Sequence, residues 1–371
     1  MRVLTIALGG SQFGGVEEVL LTIAKHRQLT PSVEYYFALF DGTLAGIMGS
    51  LNVPVSVFER VRLRDRGAVR RIRRQLAELL SAQSFDAVVI HQSVWLWIIF
   101  ARVVKRTSIP LIFWQYDNRI GERWLELWAR VVKPDFAICI SAFAQAGLPR
   151  LFPRTKSAVV YSPVDLQKMR GNRELRLRLR EALGAPADTC VIIQTGRFAR
   201  HKGHLTLFHA LEAISPLNWV CWQVGAPQLP EEFSYFDEMK QTARVLGIAD
   251  RIHFTGRRED LADIYAASDL YCQPNTSPEG YGLTFIEALN NRLPVVTSAI
   301  GGAKEIVDDT CGLLIAPGDA PALAEALGRL VSDSALRSTL AEQGPRRADL
   351  LSNCARQMNQ IAETIKLAIG K

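Results

Sequence analysis

The chain has 371 residues, 48% of them hydrophobic and 22% charged, with a formal net charge of +7. That length exceeds one ordinary hydrophobic core and implies two domains, and that balance excludes a disordered or fibrous chain. The uncharged, largely apolar run 87–101 contains His91, Gln92 and Ser93 and falls short of the ~20 apolar residues that cross a bilayer.

Residues 2–8 read as a first strand. The run is short and meets a glycine turn at once, so it does not resemble a secretory leader, and a cytoplasmic protein is expected. A helix over 14–25 follows, opened by Gly14 and Gly15, then strands over 33–40 and 53–57. Glycines such as Gly9, Gly10, Gly14 and Gly15 let backbone approach a bulky ligand, but no G-x-G-x-x-G run stands here and a dinucleotide fingerprint is disfavoured. Eight arginines lie between Arg60 and Arg74, interleaved with Val61, Leu63, Val69 and Ile72 at helical spacing. They read as a solvated helix face or as an attachment to an anionic membrane surface on the cytoplasmic side, where each basic residue contributes ~1 kcal/mol. No nucleic-acid motif accompanies them, and nucleic acid is not an expected partner.

Strands over 85–90, 110–114 and 136–141 then alternate with helices over 94–104 and 122–132, which argues a parallel sheet covered on both faces. A charged helix over 172–183 leads to a second alternation, with strands over 190–195, 219–224, 252–254, 270–273, 294–297 and 312–315. Pro345 is expected to interrupt the final helical region. The division is residues 1–165, 166–345 and a last segment, 346–371. The six cysteines are scattered without a C-x-x-C pair and read as buried reduced thiols.

The chemistry concentrates where Glu279 and Glu287 stand eight positions apart around Gly280-Tyr281-Gly282-Leu283. One carboxylate falls in a loop and the other in the first turns of a helix, with free amide groups between them. Those groups and the positive end of the helix dipole attract phosphate, while the carboxylates accept hydrogen bonds from hydroxyls. A ligand with both, a nucleotide sugar, fits the pattern. Arg197 and Lys202 follow the strand over 190–195 at Gly196, as fixed cations suited to a leaving phosphate.

Ser277-Pro278-Glu279-Gly280-Tyr281-Gly282-Leu283-Thr284-Phe285-Ile286-Glu287-Ala288, followed by Pro294-Val295-Val296 and Gly301-Gly302-Ala303-Lys304-Glu305, resembles the signature of the retaining glycosyltransferases of family 4. Upstream, Gly196-Arg197-Phe198-Ala199-Arg200-His201-Lys202-Gly203 and Ala266-Ala267-Ser268-Asp269-Leu270 continue the likeness. The resemblance implies the GT-B fold, two Rossmann-like domains facing a cleft, with a last helix that crosses back to the first domain. It implies that Glu279 supports charge at the donor sugar, that Glu287 holds the ribose, and that Arg197 and Lys202 neutralise the diphosphate. The amides of Tyr281, Gly282 and Leu283 would contact sugar and phosphate, Gly15 would approach the diphosphate, and Arg257 would lie beside the base. It further implies a hexose-type transfer from a UDP- or GDP-sugar to a hydroxyl of an envelope glycan or lipid-linked acceptor. A small soluble acceptor, or a binding protein with impaired catalysis, is the alternative. No D-x-D occurs, so neither metal nor other cofactor is expected.

One departure stands in the first domain. Relatives carry a histidine in the strand-end phrase that here reads Phe113-Trp114-Gln115-Tyr116-Asp117. His91, Tyr116 and Asp117, with Gly14, are the candidates for the acceptor side.

Overall fold

The computed structural model describes residues 1–9, 14–40, 42–118 and 121–370. The chain forms two compact units, Met1–Val164 with Cys354–Lys371, and Asp165–Asn353.

In the first unit the elements run β1 (Arg2–Ala7), α1 (Gly15–Lys25), β2 (Glu34–Leu39), α2 (Gly42–Ser50), β3 (Val55–Val57), α3 (Arg66–Ala82) and β4 (Ala87–His91). They continue with α4 (Val94–Val104), β5 (Leu111–Gln115), α5 (Trp124–Ala129), β6 (Phe136–Cys139), α6 (Ala142–Leu151) and β7 (Ser157–Val159). All seven strands pair in parallel in the order β3-β2-β1-β4-β5-β6-β7. The inner strands β1, β4 and β5 are apolar and buried on both faces, as helices on both sides of a parallel sheet require.

In the second unit α7 (Arg176–Ala182), β8 (Cys190–Thr195), α8 (His204–Ala213), β9 (Trp219–Val224), α9 (Pro230–Val245), β10 (Ile252–Gly256) and α10 (Leu261–Ala267) are followed by β11 (Leu270–Gln273). Then come α11 (Leu283–Asn290), β12 (Val295–Ser298), α12 (Ala303–Ile306), β13 (Gly312–Ile315), α13 (Ala320–Ser332) and α14 (Ser334–Ser352). The sheet order is β10-β9-β8-β11-β12-β13, with Val191 opposite Val220 and Ile192 opposite Leu270. Phe198, Leu207, Phe208, Trp219, Met239 and Leu327 anchor its apolar core.

Three expectations are corrected. Pro345 lies inside α14 rather than ending it; the helix runs to Ser352 and stops at Asn353, whose ψ of 122° is extended. The following helix, α15 (Cys354–Ala368), belongs to the first unit, where Met358, Ile361 and Ile365 are buried and Gln360 donates to the Val159 carbonyl at 3.2 Å. The arginine-rich helix begins only at Arg66, because the Asp65 carboxylate accepts the Ala68 amide at 2.9 Å and caps it. Arg60, Arg62 and Arg64 therefore precede the helix. The charged segment over 172–183 is helical only from Arg176, after a 3₁₀ turn. The Arg180 guanidinium is 2% exposed and meets Asp269 at 3.0 Å, and Arg176 reaches the same carboxylate at 2.5 Å.

Five of the six cysteines are buried, Cys354 is half-buried, and none is paired. Burial pushes the Cys139, Cys190 and Cys221 thiols up to about 12. Among the described residues no helix is long and apolar enough to cross a membrane.

Candidate functional site

Strand order locates the site of the second unit. Its winding reverses between β8 and β11, and open parallel sheets bind ligands outside the carboxyl ends of strands at such a switch point. Two loops leave there, one carrying Arg197 and Lys202, the other carrying Glu279.

The first loop folds into a 3₁₀ turn, Arg200–Lys202, closed by Gly203 at φ 74°. A side chain at 203 would strike the Pro274 carbonyl oxygen, so only glycine lets this turn sit against the second loop. The Thr276 amide donates to the His201 carbonyl at 2.9 Å, and the buried Gln194 amide donates to the Lys202 carbonyl at 2.8 Å. The turn is thus fixed from both sides. The Lys202 ammonium pairs with the Glu279 carboxylate; the two side chains are 17% and 16% exposed. Burial alone would raise the Glu279 pKa, but the charge and hydrogen bond of Lys202 outweigh it and hold the carboxyl below its ordinary value, helped by His201 and Asn275. His201 Nε2 lies 4.0 Å from the same oxygen. Burial and the Lys202 charge lower the His201 pKa, which makes it a neutral neighbour near pH 7.

Arg197 Nη1 sits 2.8 Å from Glu232 Oε1. Glu232 is 3% exposed and also accepts the amides of Gln228 at 2.7 Å and Leu229 at 3.2 Å, at the N-terminus of α9. Sequence reading did not single out Glu232. Its signal was present in Pro230-Glu231-Glu232, a proline and two acids opening a helix.

The second loop ends at α11, whose N-cap is Gly282 at φ 118°. The amides of Leu283 and Thr284 have no acceptor within the helix and lie at its positive end. The Tyr281 side chain is buried and hydrogen-bonded to Ser352 at 2.8 Å. Behind this loop, a Cβ on Gly302 would meet the Gly280 and Tyr281 backbone, and the Gly302 amide donates to the Glu279 carbonyl at 2.9 Å. Glu287 lies further along α11, half-buried, and accepts the Tyr265 hydroxyl at 3.0 Å. The fold therefore brings Arg197, Lys202, Glu279, Glu287 and the α11 terminus to one end of one sheet. Arg257 is exposed just after β10, while its neighbour Arg258 is engaged by Asp260 at 2.7 Å.

In the first unit the switch point lies between β1 and β4. Gly14 caps α1 and Gly15 begins it, both exposed, and the Gly14 amide donates to Glu17 at 3.0 Å. Gly10 lies outside the described residues. His91 ends β4 and is 2% exposed, with Nδ1 3.0 Å from the Tyr116 hydroxyl and its ring stacked on Trp114 at 4.6 Å. Burial lowers its pKa to about 3, so it stays neutral. Tyr116 is buried and its phenol is pushed well up, chiefly by burial. Asp117, at the end of β5, meets the Gln92 amide at 3.4 Å. These three side chains gather at adjacent strand ends, with His91 held neutral by burial. Among the described residues no three His, Cys, Asp or Glu side chains gather as a metal cage.

Residues 176–347 match the family of glycosyl transferases group 1. A D-inositol 3-phosphate glycosyltransferase of Xylanimonas cellulosilytica is 36% identical over 169 residues, 45% of this chain and 40% of that protein. The lipopolysaccharide core biosynthesis glycosyltransferase LpsE of Rhizobium meliloti is 32% identical over 167 residues, 44% of this chain and 46% of that one. The matches thus span about half the length of these curated relatives. The crystal structure of Anabaena Alr3699/HepE with UDP superposes with a TM-score of 0.86 at 25% identity, covering 99% of this chain and 100% of that one. WaaG, a glycosyltransferase involved in lipopolysaccharide biosynthesis, shares the fold with a TM-score of 0.72 at 19% identity, over 97% and 98% of the two chains. Residues 176–347 thus resemble the group 1 glycosyltransferases, and the two parallel sheets of this order have the GT-B fold.

Proposed function

We propose that the protein transfers a hexose-type glycosyl unit, with retention of anomeric configuration, from a nucleoside diphosphate sugar to a hydroxyl of a cell-envelope glycan or lipid-linked acceptor. The observation that carries this reading is the Lys202–Glu279 pair at the β8/β11 switch point, beside the α11 N-terminus. Lys202, Arg197 and the α11 amides are suited to the diphosphate, and an ionised Glu279 is suited to the positive charge that grows at the anomeric carbon. Glu287 is suited to the ribose hydroxyls. In the step we envisage, the bond from the anomeric carbon to the leaving phosphate oxygen breaks. The acceptor oxygen bonds to the same face of that carbon, and its proton passes to the leaving phosphate. Neutralisation falls to Arg197, Lys202 and α11, without a metal. HepE structures with UDP and with UDP-glucose support a uridine donor, and the envelope names of the relatives support the acceptor class.

The test is release of free nucleotide from UDP-glucose and GDP-mannose, with and without a lipid-extract acceptor and with EDTA present, and proton NMR of the product anomer. Acceptor-dependent nucleotide release with an unchanged anomer is expected. Nucleotide binding without release under any acceptor would favour a binding protein with impaired catalysis, a reading encouraged by the absence of a histidine from residues 113–117.

A second proposal concerns where the acceptor is met. Arg66, Arg70, Arg73 and Arg102 line a groove of about 390 Å³ between α3, α4 and α5, and Trp128 and Val131 form part of its wall. Trp124, Leu127, Trp128 and Val131 are between 50% and 66% exposed. A basic groove beside exposed aromatic residues fits an anionic bilayer surface. Replacing Arg66, Arg70 and Arg102 by Gln should abolish co-sedimentation with phosphatidylglycerol vesicles at low salt; unchanged co-sedimentation refutes it.

A further inference from the structure

Beneath the loops of the second unit lies a run of buried polar side chains that the reaction above does not use. Thr195, Tyr265, Tyr271, Gln273 and Asn275 are each 0–3% exposed, yet they hydrogen-bond to one another and to the two glutamates. Tyr265 Oη lies 3.0 Å from Glu287 Oε2 and 2.7 Å from Thr195 Oγ1. Tyr271 Oη lies 2.9 Å from Gln273 Oε1, and Gln273 Nε2 lies 3.0 Å from Asn275 Oδ1. The Asn275 side chain hydrogen-bonds Glu279 in turn.

The proton inventory fixes the direction of every link. An ionised carboxylate only accepts, and each hydroxyl has one proton to give. Tyr265 gives its proton to Glu287, so Thr195 must donate to Tyr265. At the other end Asn275 donates its amide to Glu279, which leaves its carbonyl oxygen to accept from Gln273. The Gln273 oxygen then accepts from Tyr271. Both phenols keep their protons, because burial raises their pKa well above 10. Two chains result, Thr195 to Tyr265 to Glu287 and Tyr271 to Gln273 to Asn275 to Glu279, and each ends with a donor aimed at a carboxylate. They touch only where Thr195 and Tyr271 lie 3.4 Å apart, the longest contact of the set, for which neither hydroxyl has a proton left.

We propose that Tyr265 and Asn275 are positioning residues, the last donors of two oppositely directed buried chains that hold Glu287 and Glu279 as acceptors in fixed orientation. The proposal rests on the donor-site reading of the two glutamates. Its consequence is a separation of effects. Disturbing the Thr195 chain acts on whatever Glu287 holds, and disturbing the Tyr271 chain acts on what Glu279 does.

The experiment measures UDP affinity by calorimetry and UDP release from UDP-glucose for the wild type, Tyr265→Phe, Thr195→Val and Asn275→Asp, with melting temperatures alongside. Tyr265→Phe should weaken UDP binding roughly tenfold, the worth of one hydrogen bond to a charged acceptor, with kcat within twofold of wild type. Thr195→Val, which strips only the donor behind Tyr265, should shift the same constant less. Asn275→Asp is isosteric and replaces a donor by an acceptor; it should lower kcat at least tenfold and leave UDP affinity unchanged. If Tyr265→Phe fails to fold, Thr195→Val carries the first arm alone. Losses in both parameters that follow the melting temperature, or no loss in either, overturn the positioning role. A wild-type protein that binds none of UDP, GDP and ADP refutes the donor site itself, whereas a wild type that binds UDP beside a Tyr265→Phe variant of equal affinity refutes only the chains.

Discussion

Replacing Lys202 by Ala should destabilise the second unit in a way that grows with pH. In the wild type the Glu279 carboxyl is held below its ordinary pKa by Lys202, so its contribution to stability is present above the unfolded value, about 4.3, and is lost as pH falls through the folded one. Without Lys202, burial becomes the dominant influence and pushes the Glu279 pKa above its unfolded value. The sign reverses: the folded protein then binds the extra proton, and stability is lost as pH rises above about 4.3. Breaking a buried pair by removing one partner costs about 3–5 kcal/mol. With each group about one-sixth exposed, and with His201 and Asn275 still facing Glu279, a penalty of roughly 2–3 kcal/mol at pH 7.5 is expected. At about 2–4 °C per kcal/mol for a unit of this size, that is a melting shift of roughly 4–12 °C. Differential scanning fluorimetry of the ligand-free protein between pH 4 and 8 reads it directly. The shift should shrink toward pH 4, and Lys202→Ala/Glu279→Gln should recover most of the loss, since no unpaired charge remains. A melting shift independent of pH, or a double variant no more stable than the single one, refutes the reasoning.

Three more outcomes are expected. Glu279→Gln should lower UDP release from UDP-glucose by at least about 100-fold with little change in UDP affinity, as loss of a transition-state contact does, while Glu287→Ala should chiefly weaken UDP binding, read by calorimetry. Gly203→Ala should lower the melting temperature and weaken nucleotide binding together, because φ 74° and the Pro274 carbonyl both oppose a Cβ; an ordinary helix-start effect of under about 1 kcal/mol would refute this. His204 is 2% exposed with its pKa lowered to about 3, chiefly by burial, so the unfolded state binds the proton first and stability falls as pH drops below about 6.5. His204→Leu should flatten a loss of about 2–3 kcal/mol between pH 6.5 and 4.5 in urea melts.

Much of the second unit is legible in the sequence because buried parallel strands read as unbroken apolar runs. The residues expected at 190–195, 219–224, 270–273 and 312–315 are the observed β8, β9, β11 and β13. Glycine punctuation carries the loops equally well, since Gly203 and Gly302 stand where backbones touch. What escapes sequence reading is either short or relational. The strand β7 spans three half-buried residues, and α2 contains Gly42, Gly46 and Gly49, so neither has a period to detect. Glu232 becomes recognisable as the partner of Arg197 only when α9 is folded back onto the β8 loop. The chains through Tyr265 and Gln273 are invisible for the same reason, because their members come from β8, α10 and β11. Arg180 belongs with these, since only the fold shows its guanidinium buried against Asp269 and the Pro186 and Thr189 carbonyls.

The return of α15 to the first unit gives the nascent chain an unusual timetable. The segment Asp165–Asn353 holds its own sheet and the helices that cover it, so it needs no residue made after Asn353. The earlier-made unit cannot. Its sheet is finished at Val159, but the socket that receives Met358, Ile361 and Ile365 stays open until α15 emerges. At about 5–20 residues per second the wait lasts about 10–40 s, during which an apolar patch on the oldest part of the molecule faces solvent and chaperones. The domain begun first is the domain completed last.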